Sequence, residues 1–150
     1  MAPTHRLGDR VLWLVGRVSL QSQRLLQQRF ATQELRKPHY GVLASLDDAG
    51  PEAQGPLADR VAIDRSDMVS LIDDLESGGH VERRPDPADR RRKVVHLTAS
   101  GREVLERLDA LVHAADDELL APLSPDERRT LAELLVRVLP EADRARVRTN

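Results

Sequence analysis

One stretch constrains the fold of this chain more than any other, and it runs from His80 to Gly101. Near its start lies the segment Val81-Glu82-Arg83-Arg84, and it ends with a β-branched run from Val94 to Thr98. Prolines and aspartates separate the two, a pattern that predicts short antiparallel strands joined by a long exposed tip. The tip carries the basic block Arg90-Arg91-Arg92-Lys93. Such a tip is either a solvated loop or a phosphate-binding element, and the segments on both sides decide between the two.

The composition narrows the class of protein further. A chain of 150 residues fits one domain, whose core leucine, valine and alanine must fill because aromatic residues are scarce. The absence of cysteine excludes disulfides and thiolate metal sites. No apolar run approaches the ~20 residues of a membrane span and no signal peptide is visible, so we expect a cytoplasmic protein without a membrane partner. A net charge of −2 argues against binding nucleic acid through bulk charge, but leaves a local basic patch open.

Long helices are predicted at both ends of the chain. Apolar residues at helical spacing indicate one amphipathic helix over residues 5–33, with a modest interruption near Gly16 and Ser19. Thr98 is well placed to cap a helix that starts at residue 99. The segment 124–127 combines a capping box with proline at the first helical position, and predicts a further helix as far as Pro140. The arginine-rich residues from 142 onward are expected to fray.

The middle of the chain has the pattern of a helix-turn-helix unit. A short helix follows Lys37-Pro38, and a second one begins near Pro56. A turn at residues 62–64 then leads into a helix over 65–77, which Gly78-Gly79 would end. The apolar residues of this last helix share one face: Met68, Leu71, Ile72 and Leu75. Its opposite face is small and polar, which suits either entry into a groove of DNA or plain solvation: Ser66, Ser70, Asp73 and Ser77.

Together these elements define a mainly α-helical fold with a small β-hairpin wing. Residues 38–98 are expected to form a winged helix-turn-helix lobe, and the helices over 5–33 and 99–140 a dimerisation region from both termini. The terminal helices carry more apolar surface than a monomer of this length covers, which predicts a homodimer. A twofold dimer would present its two recognition helices to successive major grooves of double-stranded DNA.

The spaced motifs resemble those of the MarR family of winged-helix transcriptional regulators. The resemblance covers almost the whole chain and is most specific at Leu75-Glu76 through Gly79, Val81-Glu82-Arg83, Asp89-Arg90-Arg91 and Leu97-Thr98-Ala99-Ser100-Gly101. It implies a homodimer formed by the first, fifth and sixth helices, with the recognition helix in the major groove and the wing in the adjacent minor groove. It also implies a pseudo-palindromic operator and release of DNA by a small aromatic or phenolic ligand.

The resemblance also implies roles within the wing. Arg91 looks like the arginine that enters the minor groove, and Asp89 like the carboxylate that holds its guanidinium by a charge-assisted bond. Asp89 is equally suited to forming the turn of Pro87-Ala88-Asp89, and both roles can hold. The DNA-binding residues predicted here are Arg65, Ser66, Asp67, Ser70, Asp73, Asp89, Arg90, Arg91, Arg92 and Lys93.

Three departures from the family pattern bear on DNA binding. Ala62 stands where glycine is common, at a cost on the order of 1 kcal/mol if the turn needs positive φ there. His80 stands where leucine is frequent and makes the base of the wing more polar. The recognition helix carries Asp67, Asp73 and Asp74 beside a single cation, so repulsion by phosphate would weaken DNA binding.

Enzyme activity and metal or cofactor binding have less support from the sequence. The histidines lack close metal-ligand spacing, and no glycine-rich phosphate loop or nucleophile elbow is present, so we expect no enzyme activity, metal or cofactor. Trp13, His39 and Tyr40 are the candidate ligand-binding side chains, because each can stack on or hydrogen-bond an aromatic molecule. For any one of them a plainer role is favoured: core packing for Trp13 and Tyr40, and a surface position for His39.

Two functions from different classes remain open. The first is a ligand-responsive dimeric repressor that binds a specific DNA sequence through its winged helix-turn-helix. The second is a DNA-incompetent dimer that binds a ligand or another protein. The wing favours the first function, and the acidic recognition helix favours the second.

Overall fold

The computed structural model describes residues 5–147 of the chain. Most of them lie in helices, and three short strands form one antiparallel sheet, so the predicted mainly α-helical fold with a small β wing is confirmed. The elements in chain order are α1 His5–Gly8, α2 Val11–Ala31, α3 Lys37–Ala49, β1 Glu52–Ala53, α4 Gln54–Val61, α5 Arg65–Ser77, β2 Val81–Pro85, β3 Lys93–Leu97, α6 Ala99–Leu119, α7 Pro125–Val138 and α8 Glu141–Val147.

The chain divides into two compact units, and the first ends at residue 115. Its core is aliphatic around one aromatic ring, and burial of this apolar surface is the main force that holds the unit together. The largest fully buried side chains are Phe30, Leu43, Leu57, Met68, Ile72, Leu75 and Leu108. They come from α2, α3, α4, α5 and α6, so the helix-turn-helix pair α4–α5 is anchored to the elements on both sides of it in the sequence.

The second unit starts at residue 116, and its best-defined feature is the start of α7. The predicted capping box is present: Ser124 Oγ accepts the Glu127 N–H at 3.2 Å, and Glu127 Oε2 accepts the Ser124 N–H at 2.8 Å. Arg128 then donates to Asp117 Oδ1 at 2.7 Å and to the Leu120 carbonyl at 3.1 Å. These bonds hold the turn between the end of α6 and α7.

The two ends of the chain differ from the prediction. Helix α2 continues through Gly16 and Ser19, so the interruption predicted there is wrong; one glycine costs a helix only about 1 kcal/mol. The break falls at Asp9 and Arg10 instead, between α1 and α2. The predicted fraying is wrong over 142–147, because these residues belong to α8, which has two acidic residues in its first turn, where the helix dipole favours them. Residues 148–150 lie outside the described part.

The sheet has the strand order β1-β3-β2, with both pairs antiparallel. The hairpin of β2 and β3 is the predicted wing, and it pairs Val81 with Leu97 and Pro85 with Lys93. Strand β1 was not predicted. It is two residues long and pairs with Val94 and Val95 of β3, so it exists only because the fold brings it there.

The base of the wing is fastened to the start of α6 by close backbone packing. Thr98 Oγ1 donates to the Gly79 carbonyl at 2.6 Å and accepts the Gly101 N–H at 3.0 Å, which confirms the predicted cap. Gly79 has φ +75°, a conformation that glycine adopts without strain. A Cβ on Gly101 would lie 2.1 Å from the His80 carbonyl oxygen, so only glycine fits there. The wing therefore leaves the lobe at a fixed point.

Candidate nucleic-acid interface

Helix α5 buries one face and exposes the other, as predicted. Its apolar residues Met68, Leu71, Ile72 and Leu75 are buried in the core. The polar positions predicted to contact DNA are all exposed: Arg65, Ser66, Asp67, Ser70 and Asp73. Because the outer side chains are short, the helix backbone can come close to a groove.

The turn into α5 contains a strained residue. Ala62 lies in the left-handed region, with φ 55° and ψ 47°, and the amide groups of Ala62 and Ile63 both donate to the Ala58 carbonyl. This is the closure that glycine usually makes at a helix C-terminus. Asp64 holds the N-cap position of α5, but its side chain makes no cap hydrogen bond. The turn between α4 and α5 is therefore closed by backbone hydrogen bonds.

Two of the three aspartates of α5 form ion pairs with arginines from neighbouring elements of the fold. Asp73 Oδ1 accepts a hydrogen bond from Arg83 Nη2 at 2.6 Å. Asp74 Oδ2 lies 3.1 Å from His39 Nε2 and 3.7 Å from Arg36 Nη2. The repulsion predicted between DNA and these two carboxylates is therefore partly offset within the protein.

Asp67 differs from the other two aspartates, because it forms no ion pair with any residue between 5 and 147. The single cation of α5, Arg65, lies 3.7 Å from Asp59 and is largely exposed. Unscreened negative charge on the outer face of α5 is thus concentrated at Asp67, near the start of the helix, where the helix dipole stabilises it.

The tip of the wing is ordered by two aspartates that act as turn formers. Asp86 Oδ1 accepts the Ala88 N–H at 2.9 Å, and Asp89 Oδ1 accepts the Arg91 N–H at 3.0 Å. The Asp86 N–H and the Arg92 carbonyl close the tip at 2.9 Å. Asp89 therefore has the turn-forming role predicted for it; within residues 5–147 it makes no ion pair with the Arg91 guanidinium.

The basic block projects from this ordered tip. Arg90, Arg91, Arg92 and Lys93 are all exposed, and none of them forms an ion pair with a residue of the described range 5–147. Arg84, one strand position below the tip, pairs with Glu82 instead. The cations of the block thus lie together at the end of the wing, where they create a local positive field on a chain of net charge −2.

The structure does not bring the three candidate ligand-binding residues together. Trp13 is 45% exposed on α2, so the core packing favoured for it is wrong. Tyr40 packs against the core, 5.6 Å from Phe30 between ring centroids, and its hydroxyl donates to Asp109 Oδ1 at 2.8 Å. Core packing of Tyr40 is thus confirmed.

His39 is buried, with 3% of its surface exposed, so the surface position predicted for it is wrong. The Arg36 N–H donates to Nδ1 at 3.0 Å, which leaves Nε2 as the protonated nitrogen that donates to Asp74 Oδ2 at 3.1 Å. Burial lowers the pKa of His39, against an opposing effect of the bond to Asp74. A neutral imidazole therefore joins the start of α3 to α5, which no local sequence pattern indicates.

Two clefts lie beside the start of α3. The first has a volume of about 560 Å³ and combines apolar groups with two cations; it is lined by Gln23, Gln27, Ala31, Glu34, Leu35, Arg36, Lys37 and Pro38. The second, of about 530 Å³, reaches the start of α5 and is lined by Arg36, Pro38, Ala62, Ile63, Asp64, Asp67, Ser70 and Leu71. None of Trp13, His39 and Tyr40 lines either cleft, and Arg36 lines both.

The part of the chain that the structure describes offers no alternative site of a metal-binding kind. Among residues 5–147 no group of three or more His, Cys, Asp or Glu side chains could hold a metal ion. None of the helices in that range is long and apolar enough to cross a membrane.

A helix-turn-helix pair followed by an ordered basic hairpin defines a protein of the winged helix-turn-helix class. The sequence profile of the MarR family matches residues 33–92. The crystal structure of a mutant MarR from Escherichia coli complexed with operator DNA is 32% identical to this chain, with a TM-score of 0.73, and the match covers 85% of this chain and 91% of that one. The chain belongs to the MarR family of winged helix-turn-helix regulators.

Two further proteins extend the comparison. A protein of Thauera aromatica, described as a transcriptional regulator for the hcr operon, is 36% identical over 66% of this chain, and the match spans 60% of that protein's own length. The second is BpsR from Bordetella bronchiseptica, whose DNA binding is regulated by 6-hydroxynicotinic acid. Its structure is 26% identical to this chain with a TM-score of 0.75, and the match covers 91% of this chain and 96% of that one.

Proposed function

We propose that this protein is a sequence-specific DNA-binding transcriptional regulator, and that it is a repressor released by a small aromatic ligand. The observation that carries the proposal is the cluster of cations Arg90 to Lys93 on an ordered wing, none of them paired with an acid between residues 5 and 147, beside the short polar face of α5. A local cluster of cations on a protein of negative net charge favours an anionic partner. The DNA-bound MarR relative supports duplex DNA as that partner.

The two elements would read DNA in different ways. Ser66 and Ser70 on α5 can bond to base edges or phosphates in the major groove, and Asp67 can accept a bond from a cytosine amino group. Arg91 at the wing tip would insert into the minor groove, where a narrow A·T-rich segment attracts a guanidinium. Arg90, Arg92 and Lys93 would lie along phosphates and contribute affinity without sequence preference.

A homodimer is part of the same proposal. Helices α2 and α7 leave large apolar side chains exposed, among them Val11 at 71%, Leu12 at 88% and Val138 at 78%. Surfaces of this kind mark protein interfaces. A twofold dimer would place two copies of α5 about one helical turn of DNA apart, so the operator would be a pseudo-palindrome.

The ligand would occupy the 560 Å³ cleft between α2 and α3. Leu35 and Pro38 offer apolar contacts to a ring, and Arg36 and Lys37 offer charge to a carboxylate. The regulation of BpsR by 6-hydroxynicotinic acid, an aromatic acid, supports this ligand class. The ligand-binding residues proposed from the sequence, Trp13, His39 and Tyr40, do not line this cleft. They would contact the ligand only in a second cleft formed together with the other subunit of the dimer.

The test compares two arginines of the wing on DNA from upstream of the protein's own gene and on random DNA. Arg91→Ala should weaken operator binding by about 1–3 kcal/mol and reduce the preference for flanking A·T pairs, because it removes a groove contact. Arg92→Ala should weaken operator and random DNA alike and lower the salt slope by about one for each phosphate that this arginine neutralises. Aromatic carboxylates should release the wild-type complex.

The second candidate function is a DNA-incompetent dimer that binds a ligand or a protein. The free carboxylate of Asp67 and the pairing of Arg65 with Asp59 favour it, because both reduce the attraction of α5 for phosphate. A wild-type protein that binds neither operator nor random DNA at low salt would exclude the first function and favour this second one. Wild-type operator affinity and salt dependence in a folded Arg91→Ala protein would instead overturn the role proposed for Arg91.

A further inference from the structure

Arg83 on β2 bonds to side chains from both helices of the helix-turn-helix pair. Its Nη1 donates to Glu76 Oε2 at 2.5 Å and its Nη2 to Asp73 Oδ1 at 2.6 Å, both on α5. Its Nε donates to the side chain of Gln54, the first residue of α4, at 2.9 Å. The backbone N–H of Arg83 donates to Glu76 Oε1 at 2.9 Å. This one residue therefore ties the wing to α4 and α5 together.

The surroundings of Arg83 strengthen these bonds. Its side chain is only 20% exposed, so water competes weakly for the guanidinium. Burial acts to lower the pKa of Arg83, but the hydrogen bonds to Asp73 and Glu76 outweigh it and raise that pKa. The backbone hydrogen bond from Arg83 lowers the pKa of Glu76. A planar guanidinium can serve three acceptors in fixed directions, whereas the ammonium of lysine is a single point of charge.

The same bonds change the charge that α5 presents to a partner. Asp73 and Glu76 keep 58% and 40% of their side-chain surface exposed, on the helix that carries Ser66 and Ser70. Without a counter-charge, both carboxylates would repel phosphate groups within about a Debye length, roughly 10 Å at 0.1 M salt. With Arg83 in place, the two acids and the cation together carry a formal charge of −1 instead of −2.

We propose that Arg83 is a positioning residue for DNA binding, which fixes the wing against the recognition helix α5 and offsets one of the two negative charges of Asp73 and Glu76 without touching DNA itself. The inference rests on the DNA-binding function proposed above. It explains how a recognition helix that carries several carboxylates can approach the phosphates of DNA next to the wing. It also assigns Asp73 to Arg83, where the sequence suggested a contact with DNA.

Three variants separate position from charge: Arg83→Ala, Arg83→Lys, and Arg83→Ala combined with Asp73→Asn and Glu76→Gln. Affinity for random DNA at 0.1 M salt should fall roughly tenfold in Arg83→Ala, because the loss of the cation leaves the two carboxylates without a counter-charge, and it should recover in the other two proteins. The ratio of operator affinity to random-DNA affinity should fall in all three, since none of them restores the three-way bond. Failure of the combined variant to recover random-DNA affinity would overturn the charge role.

A measurement without DNA tests the positioning role separately. Amide hydrogen exchange in β2 and in the second half of α5 should accelerate in Arg83→Ala, because the bonds that join them are removed. The matched control is Arg102→Ala, which removes a single ion pair to Asp47 elsewhere in the same unit, and it should leave these amides unchanged. If the wild-type protein bound no DNA, the proposed DNA-binding function would fail. Hydrogen exchange would still show whether Arg83 positions the wing against α5. Wild-type exchange in a folded Arg83→Ala protein would overturn that role.

Discussion

Ala62 is one of two non-glycine residues with positive φ in the described range 5–147; the other is Glu34. A left-handed conformation costs an alanine roughly 1–2 kcal/mol, whereas glycine adopts it freely but loses more entropy on folding. Ala62→Gly should therefore raise the free energy of unfolding by about 1 kcal/mol, measured by urea denaturation. The turn geometry stays the same, because both cap hydrogen bonds come from the backbone.

The matched control is the same substitution at a helical alanine. Ala110 is exposed in the interior of α6, so Ala110→Gly should lower the free energy of unfolding by about 1 kcal/mol. The two variants should thus change stability in opposite directions. A loss of stability in Ala62→Gly would mean that the left-handed conformation is not the source of strain.

At the scale of elements, His39 joins α3 to α5 and makes their contact sensitive to pH. Its pKa is lowered from 6.5 by burial, so below pH 6.5 the unfolded chain binds more protons than the folded one. Stability should therefore fall as pH decreases from 6.5 toward the folded pKa. His39→Gln should show a smaller loss between pH 7.5 and 5.5 than wild type, measured by urea denaturation at each pH.

His113 provides the control for that comparison, because it is exposed on α6 and belongs to no network between elements of the described range 5–147. His113→Gln should retain the wild-type dependence on pH. His80, whose pKa burial also lowers, contributes with the same sign in every variant and cancels from the comparison. An unchanged pH dependence in His39→Gln would place the sensitive group elsewhere.

Elements with local start and stop signals could be predicted from the sequence. The cap at Thr98, the capping box at Ser124 and the stop at Gly79 each depend on residues within a few positions of one another, and each is confirmed. Strand β1 has no such signal, because two residues show no periodicity and form a strand only by pairing with β3. The break between α1 and α2 follows Gly8, a residue type common at helix ends, but the apolar spacing across residues 5–33 favours one helix.

The candidate interface likewise has features that local sequence predicts and features that only the folded chain shows. The exposed basic block and the polar face of α5 follow from charge and period, and both were predicted. The partners of Asp73 and Asp74 were not, since Arg83 and His39 approach α5 from different elements and only the folded chain brings them into contact. Pairing across elements decides which of the acids on α5 remain free to meet DNA.

At the scale of the whole molecule, exposed apolar side chains on α2 and α7 predict self-association. The protein should sediment as a homodimer at micromolar concentration, because these surfaces otherwise face water. Leu12→Glu combined with Val138→Glu should shift it toward monomer, since each places a charge within apolar surface. Val69→Glu, at a half-exposed position of α5, should leave the dimer intact. A wild-type monomer would remove the basis for a palindromic operator.

The order of the strands also bears on how the molecule behaves at high concentration. Because β3 lies between β1 and β2, one edge of β2 is open, and an open edge can accept a strand from another chain. Backbone amides alternate in direction along a strand, and the Arg83 N–H on that edge is already occupied by Glu76. Pro85, two residues further on, has no N–H to offer. Two successive outward positions of β2 therefore offer no free N–H to a strand of a neighbouring molecule, which disfavours β-aggregation along this edge.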